Sequence, residues 1–259
     1  MGTDRYAYQS RLRRVSPLPK LALAAVALVM CLCCDSVWVG LVTVLVMGVL
    51  ITALGGLPAT VYLHFLKVPL AFLVIGGITI LIHSYPAGTT VVAALPVGER
   101  LWGFTAHDLY QAARLFCKAL GAVGCMYFPS LNTPITDLTM ALEKLHVPHL
   151  LVELMELIYR FIFVLAETAA NIRLAQESRL GYQGFRRSVN SLGTLSSMVF
   201  LRAWRKGQNI YTALESRGYT GSLTTLAGDY TPGLWLLPLT VGIVGGQMLV
   251  LYLERMAVG

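Results

Sequence analysis

Four long stretches of this chain contain no charged residue, and they constrain its fold more than any other feature. They are residues 21–34, 37–54, 68–82 and 234–253. A helix that crosses a bilayer needs about 20 mainly apolar residues, with roughly 17–25 tolerated. The last stretch meets this length outright, and the others meet it once their flanking residues are included. We therefore predict an all-α, polytopic membrane protein.

The overall composition supports the same class. Hydrophobic residues make up 56% of the 259 residues and charged residues only 13%, whereas about 25% of a soluble domain is charged. The formal net charge of +7 fits loops that are retained on the cytoplasmic side of a membrane. We therefore expect contact with membrane lipids and no nucleic-acid partner.

The charge pattern predicts a topology with about five transmembrane helices. The first 20 residues carry five basic residues and one acidic residue, which places the N-terminus in the cytoplasm. Between the second and third spans, the Gly55–Pro58 stretch should break the helix, and residues 59–67 should form an interfacial elbow. Residues 84–108 are expected to form an outer loop. The predicted spans are roughly 20–35, 37–54, 68–83, 109–131 and 234–253.

The middle of the chain is predicted to stay beneath the membrane. Residues 150–168 are apolar enough for a span, but they contain three acids and a base, each costing about 2.5–3.5 kcal/mol at the membrane centre. A crossing there would also put residues 170–230 outside, with eight basic and three acidic residues, against the positive-inside rule. We instead predict cytoplasmic amphipathic helices over 134–148, 149–180 and 186–214. The resulting domains are 1–131, 132–230 and 231–259.

A short signal occurs twice in this midsection, with its arginines 38 residues apart. The first copy is Glu177-Ser178-Arg179-Leu180-Gly181-Tyr182, and the second is Glu215-Ser216-Arg217-Gly218-Tyr219. Glycine accepts the left-handed conformation that ends a helix, and arginine offers a planar five-donor fork for a carboxylate or for backbone carbonyls. One such arginine is ordinary helix capping, but two copies favour two docking ends. The predicted docking residues are Ser178, Arg179, Gly181, Ser216, Arg217 and Gly218.

Several other classes of site are not indicated. The sequence has no Gly-x-x-x-x-Gly-Lys-Ser/Thr phosphate loop and no evident catalytic Ser/His/Asp arrangement. Its five histidines are scattered without paired ligand spacing, and the cysteines at 31, 33 and 34 lie in an apolar run, where free cysteine behaves as a small hydrophobe. We therefore predict a non-enzymatic protein without cofactor or metal. Glu156 and Arg160 are expected to form an i,i+4 ion pair.

On these motifs the sequence resembles the T components of energy-coupling-factor (ECF) transporters, most closely the CbiQ type. The resemblance covers nearly the whole chain. The family's usual docking pattern is Ala-Arg-Gly, so this chain has serine in the alanine position. We interpret Leu180 as an insertion that makes the first end seat differently. The matching segments are Asp4-Arg5-Tyr6-Ala7-Tyr8, Thr133-Pro134-Ile135-Thr136-Asp137-Leu138, Arg186-Arg187-Ser188 and Ser216-Arg217-Gly218-Tyr219-Thr220-Gly221.

The resemblance implies a coupling subunit of a multi-subunit importer in the inner (plasma) membrane. Arg179 and Arg217 would each dock one of two CbiO-like ABC-type ATPase subunits. A CbiM-like substrate-binding membrane subunit would be the other main partner, with or without a small CbiN-like subunit. Cobalt(II) is the first choice of substrate and nickel the second. The alternatives are a membrane scaffold or a self-contained secondary transporter, which predicts an inverted repeat or intramembrane carboxylates; we find neither feature in the sequence.

Overall fold

The computed structural model describes residues 2–81, 83–86, 93–97, 100–219 and 230–258. They form two compact units. The first comprises Met1–Pro134 with Asp229–Gly259, and the second comprises Ile135–Gly228.

The described elements are mainly helical. The helices in chain order are α1 (Gly2–Gln9), a 3-10 turn (Arg11–Arg14), α2 (Pro17–Cys33), α3 (Val37–Val49) with a π-helical turn (Leu50–Leu54), α4 (Ala59–Leu81), α5 (Ala106–Asn132), α6 (Ile135–Lys144), α7 (His149–Ser178), α8 (Phe185–Glu215) and α9 (Leu236–Val258). Three short strands lie between α4 and α5: β1 (His83–Pro86), β2 (Ala93–Val97) and β3 (Arg100–Phe104).

Within the residues that the structure describes, three segments are long and apolar enough to cross a membrane. They are Val37–Leu54, Ala59–Leu81 and Leu236–Met256. The predicted class, an all-α membrane protein, is confirmed. Helix α2 is apolar but has only 17 residues, and α5 is not among the candidates, so the spans at 20–35 and 109–131 stay predictions. The division of the chain by membrane side also stays a prediction.

The interfacial elbow predicted at residues 59–67 is absent, because α4 runs without a break from Ala59. Its first turns bury Tyr62 and Leu66 and leave His64 and Lys67 exposed. One helical face therefore accommodates the apolar residues and another the polar ones, so no break is needed. The break predicted just before it is confirmed: Gly56 has a φ of 70°, which favours glycine.

The segment between α4 and α5 contains a small antiparallel sheet, where we predicted only a loop. Its strand order is β1-β3-β2, and β1 pairs with β3 through His83 and Gly103. Helix α5 then starts with a capping box, in which the Thr105 N–H donates to Asp108 Oδ2 at 2.8 Å and the Asp108 N–H donates to Thr105 Oγ1 at 3.3 Å. The cap places the start of α5 slightly earlier than predicted.

Close backbone packing holds α3 against α5 in the first unit. A Cβ atom added at Gly40 would lie 2.5 Å from the Cys117 carbonyl carbon, and one at Gly121 would lie 3.1 Å from the Gly40 carbonyl oxygen. Small residues at such crossings let membrane helices approach closely. The surrounding core includes Leu23, Met47, Phe128 and Leu236.

A buried polar cluster joins the N-terminal region to the end of α5. Lys20 is fully buried, and its Nζ donates to the carbonyls of Leu12 at 3.1 Å and Asn132 at 3.3 Å. Ser10 Oγ donates to Asn132 Oδ1 at 2.7 Å. A buried ammonium group needs such acceptors to offset its lost hydration. The cluster therefore fixes the position at which α5 ends.

The second unit consists of α6, α7 and α8, which confirms the three helices predicted for this region. Helices α7 and α8 form an antiparallel hairpin, since Gln176 near the end of α7 bonds to Ser191 near the start of α8. Helix α8 has no buried residue over its 31 residues. Phe200 and Trp204 on this helix are 69% and 60% exposed. Packing against α7 therefore covers only part of its surface.

Candidate functional site

The end of α8 carries the second copy of the repeated signal. The Gly218 N–H donates to the Glu215 carbonyl, and the Tyr219 N–H donates to the Leu214 carbonyl, both at 3.0 Å. These two bonds form a Schellman motif, which needs a left-handed residue just past the helix cap. Gly218 takes that position with a φ of 77°. Arg217 is thereby fixed as the exposed last residue before the turn.

The end of α7 closes with the same pair of bonds. The Leu180 N–H donates to the Glu177 carbonyl at 3.0 Å, and the Gly181 N–H donates to the Gln176 carbonyl at 2.9 Å. Leu180 has a φ of 59°, so it occupies the position that Gly218 has in the second end. Arg179, which is also exposed, therefore corresponds to Arg217, and Ser178 corresponds to Ser216.

Two expectations for the first end are therefore wrong. Leu180 is not an insertion, and Gly181 is not the left-handed residue. The two backbone hydrogen bonds of the cap are donated by Leu180 and Gly181, so the left-handed position of the motif falls on Leu180. Gly181 is needed for space instead: an added Cβ would lie 2.8 Å from Ser191 Oγ and 2.9 Å from the Gln176 carbonyl oxygen. Ser191 Oγ also donates to the Gly181 carbonyl at 2.7 Å.

Nearby side chains hold the first end in place. Arg173 Nε donates to Glu177 Oε1 at 2.8 Å, and this carboxylate raises the pKa of Arg173. The Arg173 guanidinium lies 5.6 Å from the centre of the Tyr182 ring. The Tyr182 hydroxyl donates to Gln176 Oε1 at 2.8 Å, and Gln176 Nε2 donates to the Ser191 carbonyl at 3.0 Å. The hairpin itself therefore provides these supports.

A contact that is distant in sequence holds the second end. The Tyr219 hydroxyl donates to Glu153 Oε1 at 2.9 Å, across 66 residues of chain. Glu153 lies in the first turns of α7 and is only 6% exposed. The hydrogen bond to this carboxylate raises the pKa of Tyr219. The tyrosine therefore anchors the end of α8 to the start of α7.

An open groove of about 480 Å³ lies between α7 and α8, next to the second end. Three cationic residues line it, Arg160, Lys206 and Arg217, together with the apolar residues Leu157, Phe161, Val164, Ile210, Ala213 and Leu214. The ion pair predicted between Glu156 and Arg160 is not formed. Glu156 Oε1 instead accepts a hydrogen bond from Thr139 Oγ1 of α6 at 2.9 Å, so packing between two helices replaces the pairing within one.

The two ends share one geometry and lie far apart. With 31 residues in α8 and a rise of about 1.5 Å per residue, they are separated by roughly 46 Å. Each presents an exposed arginine at the last cap position. Within the described residues, no group of three or more His, Cys, Asp or Glu side chains is arranged to hold a metal ion. The two ends therefore present exposed arginines with the same backbone geometry.

Residues 9–226 match the family model of CbiQ, described as a cobalt transport protein. The chain belongs to the CbiQ family. The matched region contains both helix ends and the groove. Membership in this family, together with the candidate membrane spans, identifies the chain as a transport-family membrane protein.

Individual relatives agree with this assignment. An uncharacterized protein of Methanocaldococcus jannaschii is 31% identical over 235 residues, which cover 89% of this chain and 85% of that protein. The cobalt transport protein CbiQ of Salmonella typhimurium is 29% identical over 220 residues, covering 85% and 97%. A putative fused cobalt transport protein CbiMQ of Methanocorpusculum labreanum is 31% identical over 264 residues, covering 96% of this chain and 42% of the fusion.

Sequence reasoning missed some residues of the site. The role of Leu180 is visible in the sequence once the two Glu-Ser-Arg triplets are aligned, because the next residue must occupy the same turn position. The grouping of Arg160 and Lys206 beside Arg217 has no local signal. It depends on how α7 and α8 pair.

Proposed function

We propose that this chain is the transmembrane coupling (T) subunit of an ATP-driven importer of the ECF type, and that cobalt(II) is the transported ion. The observation that carries the proposal is the identical backbone closure of the two helix ends, with Arg179 and Arg217 exposed at the same cap position. Two equivalent ends suit two equivalent partners. The family description supports cobalt as the substrate, with nickel as the second choice.

The partners at the two ends are two CbiO-like ABC-type ATPase subunits, one per arginine. The chain has no phosphate loop of its own, so it is the non-catalytic member of the complex and the partners hydrolyse ATP. The fused CbiMQ relative supports a CbiM-like substrate-binding membrane subunit as a further partner. A CbiN-like small subunit completes the complex where one is present.

The mechanism requires each end to move as a rigid body with the ATPase that it contacts. The bonds from Tyr182 to Gln176 and from Tyr219 to Glu153 provide this rigidity. Closure of the ATPase pair on ATP would displace α7 and α8, and this displacement would change the access of the substrate-binding subunit. The N-terminus and the second unit lie in the cytoplasm, and the chain lies in the inner (plasma) membrane.

Charge reversal at the two ends tests this function. The chain is expressed with its ATPase and CbiM-like subunits, and ATP-dependent cobalt uptake is measured for Arg179→Glu, Arg217→Glu and the double variant. Each single variant should lose at least about tenfold in uptake, because removing one partner of a buried charge pair costs about 2–5 kcal/mol. Arg202→Glu, an exposed change in the middle of α8, is the matched control and should retain uptake.

Two results would overturn the proposal. One is undiminished uptake by the double variant at normal expression. The other is cobalt transport by this chain alone in liposomes, which would show a self-contained transporter.

A further inference from the structure

Three cationic side chains converge on the groove beside the second end without a compensating acid. Arg160 belongs to α7, Lys206 to α8 and Arg217 to the cap of α8, and all three line the same groove. Among the described residues that line it, none is acidic, and none of the three cations forms an ion pair within the described residues. Like charges that share one site repel each other. An anionic group in the groove would relieve this repulsion.

The apolar residues that line the groove add a second requirement for the group that binds there. Six apolar side chains line the same groove as the cations, so a fully hydrated anion would leave their surface uncovered. The groove therefore suits a carboxylate that has an apolar side chain next to it. Arginine and lysine can bind the carboxylate, and the apolar side chain can be buried against the apolar lining residues.

The first end differs in what surrounds its docking arginine. A concave surface at the start of α8 is lined by Gln183, Gly184, Phe185, Arg186, Arg187, Val189 and Asn190, and Arg179 is not among these lining residues. Each end has a glutamate two residues before its arginine, and at the first end this residue, Glu177, pairs with Arg173. At the second end the residue four positions before Glu215 is Tyr211, so the equivalent cation is missing. At the second end the docking arginine itself lines a groove with two further cations, one from each helix.

We propose that this groove receives an acidic side chain and an adjacent apolar side chain from the ATPase subunit that docks at the second end. The inference rests on the proposed function, and it makes the two docking ends unequal. The second end binds its ATPase through Arg160 and Lys206 as well as Arg217. The first end depends on Arg179 and its cap. Binding at the second end is accordingly the more sensitive to salt, since exposed charge pairs are screened by ions.

Variants that change the groove but not the cap test the inference. The complex is purified with Arg160→Glu, Lys206→Glu or both, and native mass spectrometry counts the ATPase subunits bound per chain over a dilution series. We expect each reversal to weaken retention of one ATPase by about tenfold and to leave the other ATPase bound. Arg202→Glu makes the same charge change one helical turn from Lys206 without lining the groove, and it should retain both.

A variant without a charge change separates loss of docking from a general electrostatic effect. Ala213 lines the groove and is exposed, so Ala213→Trp can fill the groove without disturbing a buried position. This variant should release the same ATPase. Circular dichroism of each purified variant confirms that its helices are retained.

The outcomes distinguish this inference from the proposed function. If Arg217→Glu releases one ATPase while the groove variants keep both, the groove inference is wrong and the coupling function stands. If Arg179→Glu and Arg217→Glu also keep both, the coupling function itself is wrong. If Arg160→Gln with Lys206→Gln removes a co-purified anionic phospholipid and retains both ATPases, the groove is a lipid site and the inference is overturned.

Discussion

The ends of α7 and α8 close with the same two backbone hydrogen bonds, yet different side chains support them. The first end is supported within its own hairpin, through Arg173, Gln176 and Tyr182. The second end is supported by a bond from Tyr219 to Glu153 at the other end of α7. The cap alone therefore sets the position of each arginine. The surroundings determine how firmly that position is held.

The left-handed position shows the difference most clearly. Gly218 adopts it without cost, whereas Leu180 adopts it with a side chain that is 58% exposed. An L-residue in this region is less favourable by about 1–2 kcal/mol. The next residue, Gly181, packs directly against Ser191 of α8. Substitutions at corresponding positions should therefore have unequal effects.

The largest difference is expected between alanine substitutions at the two glycines. Gly181→Ala brings a Cβ atom within 2.9 Å of a backbone carbonyl, and overpacking of this kind costs about 1–3 kcal/mol. Gly218→Ala meets no neighbouring atom within 4 Å, so only its φ is unfavourable, by about 1 kcal/mol. Thermal unfolding of the purified variants measures both. A larger loss of stability in Gly218→Ala would contradict the assignment of the two glycines.

A smaller effect, of opposite sign, is expected for Leu180→Gly. Glycine removes the strain of the left-handed conformation, and little buried surface is lost, so stability should rise by about 0.5–1 kcal/mol. Leu180→Ala, which keeps the strain, is the control and should give no increase. If Leu180→Gly unfolds at a lower temperature than the unmodified chain, the side-chain contacts of Leu180 stabilise the fold by more than its left-handed backbone destabilises it.

The two tyrosines should also differ. Tyr219→Phe removes a donor from the buried Glu153 carboxylate, whereas Tyr182→Phe removes a donor from a neutral amide and keeps the ring beside Arg173. Hydrogen bonds to charged groups contribute more than neutral ones. We therefore expect Tyr219→Phe to lower the unfolding temperature more than Tyr182→Phe does. Equal decreases in unfolding temperature would mean that the two tyrosine hydrogen bonds stabilise their helix ends equally.

The smallest effect is a pH dependence at the second end. Because the pKa of Tyr219 is raised in the folded protein, its contribution to stability is fully present below the unfolded value of about 10. The contribution is lost as pH rises through the higher folded value. The difference in phenolate absorbance between the unmodified chain and Tyr219→Phe isolates this titration. A midpoint at or below about 10 would contradict the hydrogen bond.

The sequence predicts much of this architecture from local signals. The charge-free stretches indicate the membrane class, the Gly55–Pro58 stretch indicates a break, and the mixture of apolar and charged residues indicates α7 and α8. Each signal acts within one element. The prediction of an interfacial elbow at residues 59–67 was wrong because His64 and Lys67 were taken as signs of a separate segment, although α4 keeps both on its exposed side.

In the candidate site as well, local features were predictable and contacts between distant residues were not. The two arginines and their serines follow from the repeat, because a cap is set by neighbouring residues. The Tyr219–Glu153 bond and the groove around Arg160 were not predictable, because they join residues distant in the chain. The left-handed conformation of Leu180 was not predicted, because glycine is the usual residue at that cap position. The prediction therefore assigned it to Gly181, one residue too late.

Crosslinking in intact cells tests the central claim most directly. A photo-crosslinking residue is placed at Ser178, at Ser216, or at both, next to the two arginines, and at Thr194 in the middle of α8 as a control. The account predicts one ATPase subunit attached from each single position, a species with two ATPases from the double variant, and none from Thr194. If neither serine position captures an ATPase and proteins outside the cytoplasm are attached instead, the two ends do not serve as docking sites.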